Sequence, residues 1–373
     1  MAGIYIHIPF CKQACHYCDF HFSTSLTYKD ELLKALIKEI AIRKNYLDGE
    51  AIETIYFGGG TPSLLSADEL NLLIDKITEI LTVSPDAEIT IEANPDDLNK
   101  AKLQSYLQTG INRFSIGIQS FFDDDLEWMN RVHRGNEAEA SVKRAQDAGF
   151  ENITVDLIYG YPLLTAQKWK YNLDKVFELD VPHVSSYSIT VEPKTALASF
   201  IHKKKQPAMD DQQSADQFIL LMDAMQARGY EHYEISNFCK PGHYSRHNSN
   251  YWKGVKYVGI GPSAHSFDGV TREWNIANNA RYIQAITTGQ IPAEKELLTE
   301  QNRLNEYIMT SLRTMWGLSL DRLDSIAPGS SAQIQTVTGK FFNNSWLQQS
   351  DSTIYLTQTG KLYADHIASE LFF

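Results

Sequence analysis

Over its first 205 residues the chain repeats one rhythm, a short β-branched or apolar run followed by a longer amphipathic stretch. The strand-like runs are Ile4 to Ile8, Thr54 to Phe57, Glu88 to Ala93, Arg113 to Gln119, Ile153 to Ile158 and His183 to Thr190. Helical patterns lie between them, at Lys29 to Arg43, Asp68 to Leu81, Lys100 to Leu107, Glu137 to Ala148 and Ala166 to Leu179. Two carry end signals: Ser66-Ala67-Asp68-Glu69 reads as a capping box, and Gly149 closes the helix that Asn136 opens. Successive strands separated by a helix run parallel through right-handed crossovers. The expectation is an α/β fold with a parallel sheet, and the alternation alone suits an open (β/α)6 barrel and a doubly wound sheet equally.

Beyond about residue 210 the rhythm changes. A helix from Asp211 to Arg228, stopped by Gly229, leads into an aromatic and histidine-rich segment, Tyr230 to Asn279, that reads as irregular. From about Glu294 the pattern is helical, with a small hairpin around Thr353 to Thr357 and a last helix from Lys361 to Leu371. At 373 residues one large domain with a smaller appendage is expected. The division is a barrel over 1–205, a connecting segment over 206–293 and a small domain over 294–373.

Charge and cysteine usage narrow the setting. A net charge of −12 lacks the basic field that attracts phosphate backbones, and the Lys203-Lys204-Lys205 run is too short to supply one, so nucleic acid is not an expected partner. There is no run of 18 apolar residues and no apolar leader after Met1, so no transmembrane segment is expected, peripheral membrane contact at most. Three of the four cysteines are crowded too closely for a disulfide framework, which suits a reducing, cytoplasmic compartment.

Those three, Cys11, Cys15 and Cys18, are spaced C-x3-C-x2-C. Thiolates so close in one loop converge on one centre, and three soft ligands leave one coordination position open. A zinc site completed by a distant Cys or His, or three buried thiols, would use the same residues. Cys239 has no partner pattern and reads as a core thiol.

The run His7-Ile8-Pro9-Phe10-Cys11-Lys12-Gln13-Ala14-Cys15-His16-Tyr17-Cys18-Asp19-Phe20 resembles the radical S-adenosylmethionine (SAM) proteins, in which three cysteines hold a 4Fe-4S cluster and SAM chelates its fourth iron. The flanks are most similar to the oxygen-independent coproporphyrinogen III oxidase group, and there to its heme-chaperone branch. This implies a radical SAM partial (β/α)6 barrel with a smaller winged-helix-like α+β domain at the C-terminal end. It also assigns SAM contacts at strand ends: Tyr5 and Tyr17 as aromatic contacts, Gly59, Gly60 and Thr61 in Phe57-Gly58-Gly59-Gly60-Thr61-Pro62 for the methionine ammonium group, then Glu92, Gln119, Arg131 and Asp156. Glu92 at a strand end suits ribose hydroxyls. Asp156, flanked by apolar residues, needs a ligand or a basic group such as Arg131.

The segment Arg246-His247-Asn248-Ser249-Asn250-Tyr251-Trp252 resembles HNxxYW, the heme-associated motif of the same branch. It makes His247 the first candidate for an iron ligand, with Tyr251 and Trp252 as packing faces. Gly259 to Ser266 imitates a dinucleotide fingerprint without its βαβ unit, and His265 there is a second ligand or a structural residue.

Two functions follow from the resemblance: a heme chaperone that passes heme to an apo-hemoprotein acceptor, or a coproporphyrinogen III oxidase fed by an electron donor. Oxidases of the group carry another cysteine two residues after the third and a long N-terminal extension, whereas here Phe20 fills that place and Cys11 is near the start. Heme chaperoning without oxidase activity is the expectation.

Overall fold

The computed structural model describes residues 1–373. Six strands form its centre: β1 (Ala2–Ile8), β2 (Ile52–Gly59), β3 (Val83–Ala93), β4 (Arg113–Gln119), β5 (Ile153–Tyr159) and β6 (His183–Ser188). They lie in sequence order and each pairs in parallel with the next, as the strand-helix alternation requires. All seven residues of β4 are buried, as expected of a parallel strand covered on both faces. On one face of the sheet Ile4, Ile6, Phe57, Ile91 and Ile116 join helical residues such as Leu36, Leu70 and Leu103 in a single core cluster. Registers Tyr5↔Tyr56, Glu92↔Ser115 and Asp156↔Ser185 put these polar side chains on the other, concave face.

The capping box forms: Ser66 Oγ accepts from Glu69 N at 3.2 Å, and Glu69 Oε2 accepts from Ser66 N at 2.8 Å. Gly149 has φ +98° as a helix stop should, but the helix it closes is Gly135–Asp147, with Arg134 as its N-cap rather than Asn136.

The segment from Tyr230 to Asn279 is not irregular. It supplies β7 (Glu231–Glu234), β8 (Asn237–Cys239), β9 (Tyr257–Ile260), β10 (His265–Phe267) and β11 (Thr271–Asn275), and β12 (Ala293–Leu297) follows. These extend both edges of one twelve-stranded sheet, in the order β12-β11-β10-β9-β1-β2-β3-β4-β5-β6-β8-β7. Strands of three to five residues are too short to show alternation. An acid network fastens this extension to the first helix, Lys29–Ile42. The fully buried Glu39 accepts from Arg43 Nε at 2.9 Å, Gly261 N at 2.8 Å, Asn275 Nδ2 at 2.8 Å and Tyr282 Oη at 2.5 Å.

At the C-terminal end, helices Glu300–Leu312, Leu320–Ile326, Ser330–Asn343 and Ala364–Glu370 surround a small antiparallel sheet of β13 (Leu318–Ser319), β14 (Leu347–Ser350) and β15 (Thr353–Leu356). Leu304, Ile308, Ile334, Phe341 and Ile367 belong to a second apolar cluster, separate from the first, and Ile235 packs against both. No helix is long and apolar enough to cross a membrane.

Candidate cluster, nucleotide and heme sites

The loop after β1 holds Cys11, Cys15 and Cys18, all free and half-buried. Cys11 N donates to Ser23 O at 3.0 Å and Cys18 N to Cys15 O at 3.3 Å, which closes the turn between the last two thiols. Residues after β4 brace it from the side: Asn130 Nδ2 donates to Ala14 O at 2.6 Å, and Arg131 Nη1 lies 3.5 Å from Cys15 Sγ. Burial pushes the Cys11 thiol up and that of Cys18 up to about 12. A metal centre that takes the proton's place turns its ligating sulfurs into thiolates, and three free cysteines in one braced loop are a donor set that suits an iron-sulfur cluster.

The glycine run at the end of β2 abuts the same loop. Gly59 adopts φ +108°, and a Cβ on Gly60 would lie 2.7 Å from Phe10 O and 2.8 Å from Ile8 O. Gly60 N donates to Ile8 O at 2.9 Å and Thr61 N to Phe10 O at 2.6 Å. This edge therefore sets the height of the cysteine loop.

Next along the sheet, Glu92 accepts from Tyr56 Oη at 2.9 Å and Gly59 N at 3.2 Å, while burial, reinforced by the Asp156 charge, holds its carboxyl at about 7. Its side chain keeps part of its surface open, which leaves room for a hydroxyl donor. Gln119, at the end of β4, is buried in the left-handed region at φ +61°. Such a conformation costs a non-glycine residue about 1–2 kcal/mol and is tolerated where a site needs it. Asp156 does not meet Arg131: Ser115 Oγ donates to it at 3.1 Å, and burial raises its pKa. The Arg131 guanidinium is taken by Cys15, by Asn94 Oδ1 at 2.6 Å and by Gly117 O at 2.9 Å. Tyr17 packs beside Cys15 and Arg131, and Tyr5 stacks on Tyr56 with centroids 6.1 Å apart. The structure thus brings Cys11, Cys15, Cys18, Tyr17, Gly59, Gly60, Thr61, Glu92, Gln119 and Arg131 to one end of the sheet, with Tyr5 and Asp156 deeper on its concave face.

The HNSNYW segment lies at the other end. It forms the short helix Arg246–Trp252, whose first N–H groups, on Arg246 and His247, each donate to the Glu88 carboxylate at 3.0 Å. His247 is only 2% exposed. Its Nδ1 hydrogen-bonds Thr54 Oγ1 at 2.8 Å, its Nε2 hydrogen-bonds Tyr251 Oη at 2.9 Å, and its ring stacks on Tyr56 at 4.9 Å. Burial, then the Arg113 charge, drive its pKa down to about 3. Both nitrogens are engaged, so the ring offers no free lone pair to an iron. The site expectation differs from the structure here because the motif's histidine faces inward while its aromatics face outward.

Tyr251 and Trp252 do line a cavity, of about 680 Å³, that reaches Tyr5, His7 and Phe20 and so runs up to the cysteine loop. Sequence reasoning missed much of its remaining wall: Arg272 from β11, and Arg303, Tyr307 and Arg322 from the C-terminal helices. No local motif marks them, because three separate elements supply them. His265, on β10, also faces this cavity, and burial, then Arg272, hold it below the usual histidine value.

Residues 5–176 match the family model of the Radical SAM superfamily. The chain is 36% identical over 371 residues to a protein named heme chaperone HemW from Bacillus subtilis, covering 98% of each chain. It is 34% identical over 374 residues to the protein of that name from Mycobacterium tuberculosis, covering 99% of this chain and 94% of that one. Among solved structures, coproporphyrinogen III oxidase (HemN) from Escherichia coli superposes with a TM-score of 0.86 over 100% of this chain and 90% of that one, and at 23% identity this likeness speaks to the fold. Identity of this order, sustained from end to end, places the chain in the HemW family of the radical SAM superfamily.

Proposed function

We propose that the chain is a heme chaperone that holds a SAM-ligated 4Fe-4S cluster and delivers heme to an acceptor protein. The observation that carries this reading is one continuous cavity, with Phe20 beside the cysteine loop at one end and Tyr251 and Trp252 at the other. Its volume lies in the range of small-ligand sites, and its walls suit a flat apolar ring system.

In this reading Cys11, Cys15 and Cys18 hold the cluster and Arg131 offsets the thiolate charge beside Cys15. Tyr5, Tyr17, Gly59, Gly60, Thr61, Glu92, Gln119, Arg131 and Asp156 form the SAM surface. When bound, the cluster and SAM would supply one-electron chemistry. The chain's own residues seat them, and the Gly60 contact with Phe10 fixes the loop against β2. Phe20, where the oxidases of the group carry a cysteine, favours carrying a tetrapyrrole over oxidising one.

The test is anaerobic reconstitution followed by iron and sulfide analysis, a heme titration, and mixing of the heme-loaded protein with an apo-hemoprotein. Heme bound in stoichiometric amount and passed on supports the proposal. A reconstituted protein that leaves heme free in solution removes it.

A further inference from the structure

The cavity that supports the heme reading has a charge pattern of its own. Its wall carries four cations, Lys253, Arg272, Arg303 and Arg322, and one carboxylate, Glu306, in a chain whose net charge is −12. Arg272 is bound to that carboxylate, Nη1 to Oε1 at 2.9 Å, and this is the one ion pair of the wall. The Arg322 guanidinium lies 5.1 Å over the Tyr307 ring and Lys253 Nζ lies 4.1 Å over Trp316, so aromatic faces hold them in place without neutralising them. Exposed guanidinium groups without a protein anion, set beside aromatic rings, suit a flat apolar ligand that bears carboxylates.

Three imidazoles lie at or behind this wall, and two are occupied. His7 engages Tyr5 Oη through Nδ1 at 3.2 Å and His21 O through Nε2 at 2.9 Å. His247 is engaged by Thr54 and Tyr251. His265 is exposed to the cavity, its ring 6.3 Å from that of Trp274, and no protein hydrogen bond acts on it.

We infer that this cavity is the heme berth, with His265 as the iron ligand, Arg303 and Arg322 holding the two propionates, and Tyr251 and Trp252 packing on the macrocycle. The inference rests on the heme-chaperone reading and moves the iron ligand from the HNSNYW helix to the β10 strand. A ring nitrogen of His265 gives its lone pair to ferric iron and displaces one axial water, with no change in oxidation state. His247 has a positioning role: its Nε2 holds the Tyr251 hydroxyl.

The test is titration of cluster-loaded protein with ferric heme, metal-free protoporphyrin IX and protoporphyrin IX dimethyl ester. The variants are His265→Ala, His247→Gln and the double variant Arg303→Gln/Arg322→Gln, with retained iron and far-UV circular dichroism as fold controls. His265→Ala should shift the Soret band and weaken heme binding about tenfold, leave metal-free protoporphyrin untouched, and recover the wild-type band in millimolar imidazole. The arginine variant should weaken both free-acid porphyrins about tenfold and spare the ester. His247→Gln should keep the wild-type axial spectrum. A wild-type Soret band in His265→Ala, or equal weakening of acid and ester in the arginine variant, overturns this assignment while the chaperone reading stands. If the wild-type protein itself binds no heme, the chaperone reading is what has failed.

Discussion

Thr54 Oγ1 and His247 Nδ1 stand 2.8 Å apart at the start of the sheet, on ground that only a glycine leaves clear. A Cβ on Gly3 would lie 2.9 Å from the same Thr54 oxygen and 3.5 Å from the His247 ring. The histidine of the HNSNYW segment is therefore a buried strut. It ties the helix Arg246–Trp252 to β2 and, through Tyr251, to the cavity wall.

This burial makes His247 a source of acid sensitivity. Unfolded, its imidazole takes a proton below about pH 6.5, whereas in the fold it stays neutral down to about 3. The unfolded state binds more protons in that window, so His247 destabilises the fold as pH falls below 6.5, at up to about 1.4 kcal/mol per pH unit. Denaturant midpoints at pH 7.5, 6 and 5 should fall more steeply in wild type than in His247→Gln. Other buried histidines share the sign, so the difference between the two proteins is the measure, and equal slopes would contradict it.

Cys11→Ala, Cys15→Ala and Cys18→Ala should each lose most of the bound iron and sulfide after anaerobic reconstitution, because two thiolates hold a cluster poorly. Cys239→Ala should retain the full complement, since that thiol is fully buried at the end of β8, on the opposite side of the sheet order from β1 and its loop. Full iron content in Cys15→Ala would remove the cluster assignment.

The parallel core was legible for a physical reason, since six strand-helix repeats set a parallel order, and the three thiols within eight residues marked the loop after β1 without saying what they hold. The sheet extension was not, because a strand such as His265–Phe267, at three residues, is shorter than the roughly four to eight over which alternation can be read. Arg303 and Arg322 reach the cavity from different helices, a convergence that exists only once the second core has formed. His247 shows the limit of a motif: its residue types were readable, but the direction of its side chain depended on Gly3, Thr54 and Glu88, which lie elsewhere in the sequence.

Glu92 and Asp156 should govern SAM affinity without touching iron content. Burial holds the Glu92 carboxyl at about 7, and a hydroxyl donor on the ligand favours its ionised form. SAM affinity in wild type should accordingly rise between pH 6 and pH 8, and Glu92→Gln should bind about tenfold more weakly with a flatter profile. Asp156→Ala should also weaken binding. Unchanged isotherms in both variants would mean that SAM lies elsewhere.

Phe20 leads to the last prediction. Its side chain is 67% exposed, stands two residues beyond Cys18 and faces the same cavity as Tyr251 and His265. The oxidases of the group place a thiol there, whereas a phenyl ring offers neither a proton nor a metal ligand and serves as an apolar contact surface. The reconstituted protein, given SAM, an electron donor and coproporphyrinogen III without oxygen, should therefore make no protoporphyrinogen IX above a no-protein control. The same sample should bind heme, and Phe20→Ala should weaken that binding by the loss of ring contact while leaving iron and sulfide intact. Multiple turnovers in the first assay would place the chain among the oxidases, and heme affinity unchanged in Phe20→Ala would take the cysteine-loop end of the cavity out of the heme site.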